Sequence, residues 1–358
     1  MFEPRPPGDA KDLPAFISRA PTDRPVIAVR DVVVLPTTIV EGDYRDEDEP
    51  AGDPAVEIAD GLTLEHLPRE ESELVMNACT QRGHYFLGVR QFGARYAFVR
   101  QVDPAVYEGE RSFGWDEGNV IYLAVVLSRL IRDNSHSFEF TARIVDHEDG
   151  IQQVIPINPL HYGVTYRLRR DRDWLTASEA GQLRQLFADN WAVKDALPWK
   201  VTHALNLSED AVHVHLGILQ RALLLISVAL EALIQSGRQN VSKQFRERLP
   251  QLAAEVGVEE VDEQFARDLY EARSEAAHGA QVAMFQTKPE PQQLAEDEQP
   301  EQPHGEPEPP EAGEDVAARV ALAQDLLRAT TRRAIQHPEF RKIFASEETV
   351  AAKWPVQI

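Results

Sequence analysis

The chain has 358 residues, of which 43% are hydrophobic, so it is long and apolar enough for roughly two or three globular domains. Its formal net charge of -22 argues against a broad surface that coats nucleic acid, because such binding depends on many phosphate contacts, although a small basic cleft is still allowed. The single cysteine, Cys79, excludes an intrachain disulfide and a zinc site built from cysteines.

The same features predict a soluble, cytoplasmic protein with no membrane partner. A lone cysteine suits a reducing compartment, and the N-terminal residues MFEPRPPGDAKDLP lack the basic start and apolar core of a signal peptide. The longest apolar run, Ala222–Ile234, contains Ser227 and Glu231 and is too short to span a bilayer.

Strand-like runs dominate the first half of the chain, after a proline- and charge-rich arm at residues 1–24. The run VIAVRDVVVLPTTIV, between Pro25 and Tyr44, is dense in β-branched residues, and a helix is predicted over Leu67–Cys79. Further strands are predicted over Tyr85–Val99, Val120–Leu127, Ser137–Val145 and Ile151–Ile157, with a hairpin turn at Asp146–Gly150. Residues 25–174 are therefore expected to form a mixed α/β domain with a mainly antiparallel sheet, in a sensing or recognition role that no motif defines.

Helical periodicity replaces the strand pattern after about Leu175. Thr176 or Ser178 is expected to cap a helix through Glu179–Trp191. The remaining predicted helices cover Pro198–Leu205, about Glu209–Ser236, Val241–Val256, Asp262–His278 and a segment from Asp315 that the pattern allows to continue to Phe344. Within the second of these, leucine and isoleucine recur every three or four residues, which is typical of a helix buried between other helices. The fold class expected for the whole chain is α+β.

Two segments do not fit this helical domain. Residues 284–313 are low in complexity and rich in proline, glutamate and glutamine, and such a segment cannot bury enough apolar area to order itself. We therefore expect a disordered acidic insertion within a helical domain that spans residues 175–345. Residues 346–358 are expected to form a C-terminal tail.

An arginine followed by a histidine, with four to six residues between them, is a possible site for RNA cleavage without a metal. Arginine can hold a phosphate through a planar fork of donors, and histidine can move protons near neutral pH. The spacing is common, however, and occurs three times here, in Arg129 with His136, Arg273 with His278, and Arg332 with His337. The first pair lies in the sheet domain, and the third is followed by Pro338 and indicates the end of a helix.

The second pair is the strongest candidate, although five residues correspond to about 140° around an ideal helix. Arg273 and His278 can converge if the helix ends near His278, as Gly279 permits, or if two chains each contribute a pair. The alternative is structural: an exposed arginine and a histidine that interacts favourably with the helix C-terminus. The residues alone leave both open.

Three features around this pair resemble the HEPN superfamily, and its Apea-like branch most closely. They are the long helix ending ALEALI (Ala229–Ile234), the following helix with Phe245 and Arg248, and the segment LYEARSEAAHG with its Arg-Ser-x-x-x-His-Gly pattern. The preceding segment LTASEAGQLRQLF (Leu175–Phe187) also fits that branch, as does a final helix after a variable insertion. The resemblance covers about residues 175–345. Each feature is weak alone, and only their combination is specific.

The resemblance implies a compact helical bundle that dimerises and, in active members, cleaves RNA without a metal or any other cofactor. Arg273 would then orient and neutralise the scissile phosphate, and His278 would act as general base or acid. The expected chemistry is attack by the ribose 2′-OH, which leaves a 2′,3′-cyclic phosphate. Ser274 would be a polar helper, although active members often carry a bulkier polar residue at that position.

Other basic residues are candidates for RNA contact in the same cleft, namely Arg238, Lys243, Arg246 and Arg248, with Arg332 and Arg333 on the last helix. The alternative is that they solvate helix faces, or that Arg248 forms an internal salt bridge. No metal site is predicted, because His213 and His215 point to different faces of a helix and Asp146–Gly150 is better explained as a turn.

The leading hypothesis is a toxin-like endoribonuclease of antiphage defence or stress response. A regulatory ligand or protein that binds the N-terminal domain would control its activity. The alternative is a non-catalytic module that dimerises and binds a protein, a nucleotide or RNA, which Ser274 and the acidic charge balance favour. A third hypothesis is an adaptor whose acidic segment, Glu290–Asp315, docks a basic partner.

Overall fold

The computed structural model describes residues 25–37, 55–81, 93–106, 120–134, 140–156, 175–212, 218–277 and 312–356. An antiparallel sheet occupies the N-terminal half and helices occupy the C-terminal half, which confirms the predicted α+β class. The predicted arm at residues 1–24 lies outside the described residues. So does the predicted insertion, except for its last two residues, because the final long helix already begins at Ala312.

Six antiparallel strands form one sheet in the order β2-β3-β4-β1-β5-β6. The strands are β1 (Val26–Thr37), β2 (Val56–Ala59), β3 (Leu62–His66), β4 (Gly93–Val102), β5 (Thr141–His147) and β6 (Gln152–Pro156). The predicted hairpin between β5 and β6 is present, and Gly150 supplies its positive φ of 78°. The short hairpin of β2 and β3 was missed because acidic residues and prolines obscure its alternation of polar and apolar residues.

Helices cover both faces of the sheet. Alternate residues of β1 point to opposite faces: Val32 and Val34 pack with α1 (Arg69–Gln81), whereas Val33 and Leu35 pack with α2 (Val120–Ile131) and α3 (Ala177–Val193). The α3 helix begins with the predicted cap at Thr176. The predicted domain boundary between residues 174 and 175 therefore lies just before α3, a helix that packs in the same core as the sheet.

The α2 helix corrects the prediction of a strand over Val120–Leu127. This run is apolar on almost every side, and the helix is buried along most of its length, from Ala124 to Leu130. A short apolar run does not distinguish a buried strand from a buried helix by periodicity. The position between the sheet and α3 decides in favour of the helix.

The helical bundle consists of α4 (Trp199–Val212), α5 (Ile218–Ile234), α6 (Val241–Val256), α7 (Glu263–Ala277), α8 (Ala312–Gln336), α9 (Pro338–Lys342) and α10 (Glu347–Lys353). The single long helix predicted over Glu209–Ser236 is wrong, because α4 ends at Val212 and packs side by side with α5. His213 and His215 lie between them, outside the described residues.

The C-terminal residues belong to the bundle, which corrects the prediction of a tail over 346–358. The α10 helix begins at a capping box on Ser346, and Val350 and Trp354 are buried in the same core as Phe344 and Leu249. A large aromatic side chain that is only 3% exposed, as Trp354 is, contributes strongly to a core. Within the residues that the structure describes, every helix is too short or too polar to cross a lipid bilayer.

Candidate phosphate-binding site around Arg273

The α7 helix presents Arg273 at the border of its buried face. The helix begins where Asp262 accepts a hydrogen bond from the backbone N–H of Phe265 at 2.7 Å, and its buried residues are Ala266, Leu269 and Ala272. Arg273 is the residue after Ala272, so its side chain starts at the edge of this buried face and its guanidinium reaches α5. The side chain is 26% exposed, which places it at the bundle surface rather than in the core.

An ion pair fixes the guanidinium of Arg273. Its Nη2 lies 2.9 Å from Oε2 of Glu231 on α5, and the guanidinium carbon lies 5.7 Å from the centre of the Tyr270 ring. Glu231 is itself only 14% exposed, so solvent screens the pair less than it would a fully exposed one. The pair joins two segments of the predicted motif, ALEALI and the arginine–histidine helix, that lie 42 residues apart in the chain.

The other two predicted catalytic residues follow Arg273 in sequence. Ser274 is half-buried on α7. His278 lies outside the described residues, one position after the last residue of α7, Ala277.

The predicted RNA-contacting residues divide into two groups. Arg238, Lys243 and Arg246 are at the surface: Arg238 is exposed, Lys243 lies 3.7 Å from Glu247, and Arg246 donates to the carbonyl of Ser242 in its own helix at 3.3 Å. They surround the turn between α5 and α6. An ion pair as exposed as that of Lys243 contributes little to stability.

Arg248 forms the second group and corrects the prediction, because it is 3% exposed and its donors are used inside the protein. Its Nε donates to the carbonyl of Trp354, and its Nη1 donates to the carbonyl of Ile234 and to the side chains of Ser236 and Gln244, all at 2.7–2.8 Å. Burial lowers the pKa of the guanidinium below its ordinary value, against the neighbouring charge of Glu247. Arg248 therefore ties α5, α6 and the C-terminal segment together and is not an RNA contact.

The remaining arginine–histidine pairs have structural positions, as the sequence indicated. Arg129 is buried and forms an ion pair with Glu209 of α4. His337 separates α8 from α9 and precedes Pro338, and burial lowers the pKa of Arg332. His136 lies outside the described residues.

Two features of the bundle were not predicted from the sequence. One is a set of buried or half-buried ion pairs between α2 and the helices beneath it, which the chain order conceals because partners such as Arg129 and Glu209 are 80 residues apart. The other is a stacked pair of rings, Trp199 and His203, at the start of α4. A tryptophan followed four residues later by a histidine could have suggested it, once the helix was predicted to start at Trp199.

Across the described ranges, histidine, cysteine, aspartate and glutamate side chains do not gather into groups of three or more that could hold a metal ion. No protein-family model matches the chain, and no curated protein or solved structure is significantly similar to it. The function proposed below therefore depends on the motif segments and on the geometry around Arg273.

Proposed function

We propose that the helical bundle is a metal-independent endoribonuclease of the HEPN type, in which Arg273 binds the scissile phosphate and His278 transfers protons. The observation that carries the proposal is the position of Arg273, whose partly exposed guanidinium lies at the edge of the buried face of α7, five residues before His278 in the chain. A guanidinium has five N–H donors, and the contact with Glu231 engages Nη2, so donors remain for a phosphate oxygen. His278 comes one position after Ala277 in the sequence, and an imidazole side chain can donate or accept a proton.

The reaction needs three contributions from the protein. Arg273 would neutralise the charge that develops on the phosphate oxygens, and Ser274 would contribute a hydrogen bond. His278 would remove the proton from the ribose 2′-OH or protonate the departing 5′ oxygen. One histidine cannot perform both transfers at once, so a second copy of the motif, from a homodimer, would supply the other group.

The proposed control by the N-terminal half is supported by ion pairs that join α2, and the residues directly after it, to the bundle. Arg129 pairs with Glu209 of α4, and Asp133 lies 3.3 Å from Arg328 of α8. Both α4 and α8 pack against α5, the helix that carries Glu231. A ligand or protein that shifts the sheet and α2 would therefore act on the helix that positions Arg273.

The first test is cleavage of mixed cellular RNA in EDTA, with detection of 2′,3′-cyclic phosphate ends. The parent should produce such fragments, and Arg273→Ala and His278→Ala should abolish them. Arg267→Ala is the matched control, because Arg267 lies on the same helix and pairs with Glu263 on the exposed side. Cleavage retained in both the Arg273 and His278 variants would overturn the proposal.

Control by α2 is tested by Arg328→Met, which removes the link to Asp133. If the N-terminal half restrains the bundle, this variant should cleave faster than the parent. Arg319→Met is the control, because Arg319 is on the same helix but pairs with Asp268 of α7, at 3.3 Å. Equal rates for the parent and Arg328→Met would contradict restraint through this ion pair.

The second candidate function is a non-catalytic module that dimerises and binds a protein, a nucleotide or RNA. The compensation of Arg273 by Glu231 favours it, since a paired arginine attracts a phosphate less strongly. Ser274 and the formal net charge of -22 favour it as well. Uncleaved RNA that nevertheless binds the parent more tightly than it binds Arg273→Ala would support this function, and analytical ultracentrifugation tests the dimer in either case.

A further inference from the structure

The start of α4 carries an aromatic pair that is exposed to solvent. The rings of Trp199 and His203 are stacked, with centroids 4.8 Å apart and planes inclined by 11°. Trp199 is nevertheless 70% exposed, which leaves the indole face opposite His203 open to solvent. An exposed tryptophan held in one orientation by a neighbouring ring is an unusual use of a large apolar side chain, because ordinary packing would bury it.

This pair is anchored to α5 by the residue next to Trp199. Lys200 donates from Nζ to the carbonyls of Ala232 and Gln235 at 2.8 and 2.7 Å, at the C-terminal end of α5. A cation at this end of a helix is favoured by the helix dipole. The pKa of Lys200 is lowered by burial, and the charge of Glu347 opposes the shift.

The anchor places the aromatic pair close to the proposed phosphate site. Lys200 binds the carbonyl of Ala232, and Glu231, the residue before it, holds Arg273. Lys200 of α4 and Arg273 of α7 therefore both contact the last turn of α5, and Trp199 is the neighbour of Lys200 in the chain.

The geometry points to Trp199, supported by His203, as a stacking site for a nucleobase of single-stranded RNA. The inference rests on the proposed function in that it names how RNA is held beside Arg273. Stacking suits this protein, because a chain with a formal net charge of -22 cannot rely on phosphate contacts alone for affinity. Every base presents a flat face to the indole, so the site would hold RNA without selecting a sequence.

The surroundings of Trp199 favour a base over a protein partner. The outward residues along α4 after the aromatic pair are polar, namely Thr202, Asn206 and Asp210. A protein interface usually buries about 800 Å² on each partner, around an apolar centre. One exposed indole at the start of a polar helix face fits a single base better than such an interface.

Trp191 provides a matched control within the same region. It is 43% exposed, but Phe187 is stacked on it at 6.1 Å and the Nζ of Lys194 lies 4.0 Å from its ring centre. Its ring is therefore already in contact on the sides where a base would stack. Loss of this tryptophan should not affect a stacked base.

The test measures binding of a fluorescein-labelled, 2′-O-methyl 12-mer RNA to the full chain in EDTA by fluorescence anisotropy. This RNA has no free 2′-OH and cannot be cleaved by the proposed reaction. Trp199→Ala should weaken binding roughly ten-fold or more, whereas Trp199→Phe should retain most of it and Trp191→Ala all of it. Because no charge is removed, the loss should be similar at low and moderate salt.

Equal affinity for Trp199→Ala and the parent, or no RNA binding by the parent, would overturn the inference. Circular dichroism of Trp199→Ala should match the parent, so a binding defect is not a folding defect. The outcome is separable from that of the nuclease proposal. Weaker binding by Trp199→Ala with no cleavage by the parent would keep the stacking site and reject the enzyme, whereas His278-dependent cleavage with unchanged binding would do the reverse.

Discussion

Replacing Arg248 by methionine tests how the bundle holds its C-terminal segment. Methionine keeps much of the aliphatic volume of arginine but has no N–H donors. The change leaves the carbonyl of Trp354 without its Nε donor and the carbonyl of Ile234 without its Nη1 donor, inside a site where Arg248 is only 3% exposed. It also removes one of the hydrogen bonds that Oε1 of Gln244 accepts, the one from the same guanidinium at 2.7 Å.

The expected cost follows from these contacts. A buried carbonyl that loses its partner costs about 1–3 kcal/mol, so two of them cost about 2–6 kcal/mol. The substitution also removes a buried charge, and the folded state no longer bears the cost of desolvating it, so the net destabilisation is smaller. We therefore expect the free energy of unfolding of the bundle to fall by about 2–4 kcal/mol.

Urea denaturation followed by circular dichroism measures this change, with Arg246→Met as the control. Arg246 lies two positions away on the same helix and donates only to the carbonyl of Ser242, at 3.3 Å, so its substitution should change stability by less than about 0.5 kcal/mol. If Arg248→Met were also within about 0.5 kcal/mol of the parent, the structural role assigned to Arg248 would be refuted.

Three further substitutions probe the sheet, the C-terminal segment and a helix cap. Asp31→Ala should cost about 3–5 kcal/mol, because it removes the carboxylate that Arg143 binds through two hydrogen bonds of 2.6 and 3.0 Å between β1 and β5; a urea midpoint equal to that of the parent would contradict this. Trp354→Ala should cost about 3–5 kcal/mol, whereas the exposed Trp199→Ala should cost little, and thermal unfolding of both variants checks the contrast. Thr176→Ala should cost about 1 kcal/mol, since it removes the capping box of α3, and an unchanged midpoint of chemical denaturation would count against that cap.

The comparison of Arg246 with Arg248 shows why composition could not separate the candidate RNA contacts. Both are arginines on α6, and in the sequence both belong to one basic cluster. The signal that distinguishes them is helical spacing: Phe245, Leu249 and Leu252 define the buried stripe, and position 248 falls within it. The charge of Arg248 suggested a surface position, whereas its place on the helix indicates that it is buried.

Local patterns did predict several elements well. The limits of α6, the cap of α3 at Thr176 and the β5–β6 turn each depend on a few neighbouring residues, so the local sequence suffices to place them. The placement of Arg273 at the edge of an amphipathic helix also followed from local spacing. Helical periodicity is a local property, and these predictions needed no partner from elsewhere in the chain.

By itself, the sequence determined the α+β class, the order of most elements and the arginine on α7 on which the proposed function depends. Only the tertiary structure decided that Val120–Ile131 is a helix, that α4 and α5 are separate, that Trp354 completes the core and that Glu231 holds Arg273. Each of these depends on contacts between residues far apart in the chain. Burial against a partner, and not local preference, selects the conformation of an apolar run or the position of a charged side chain.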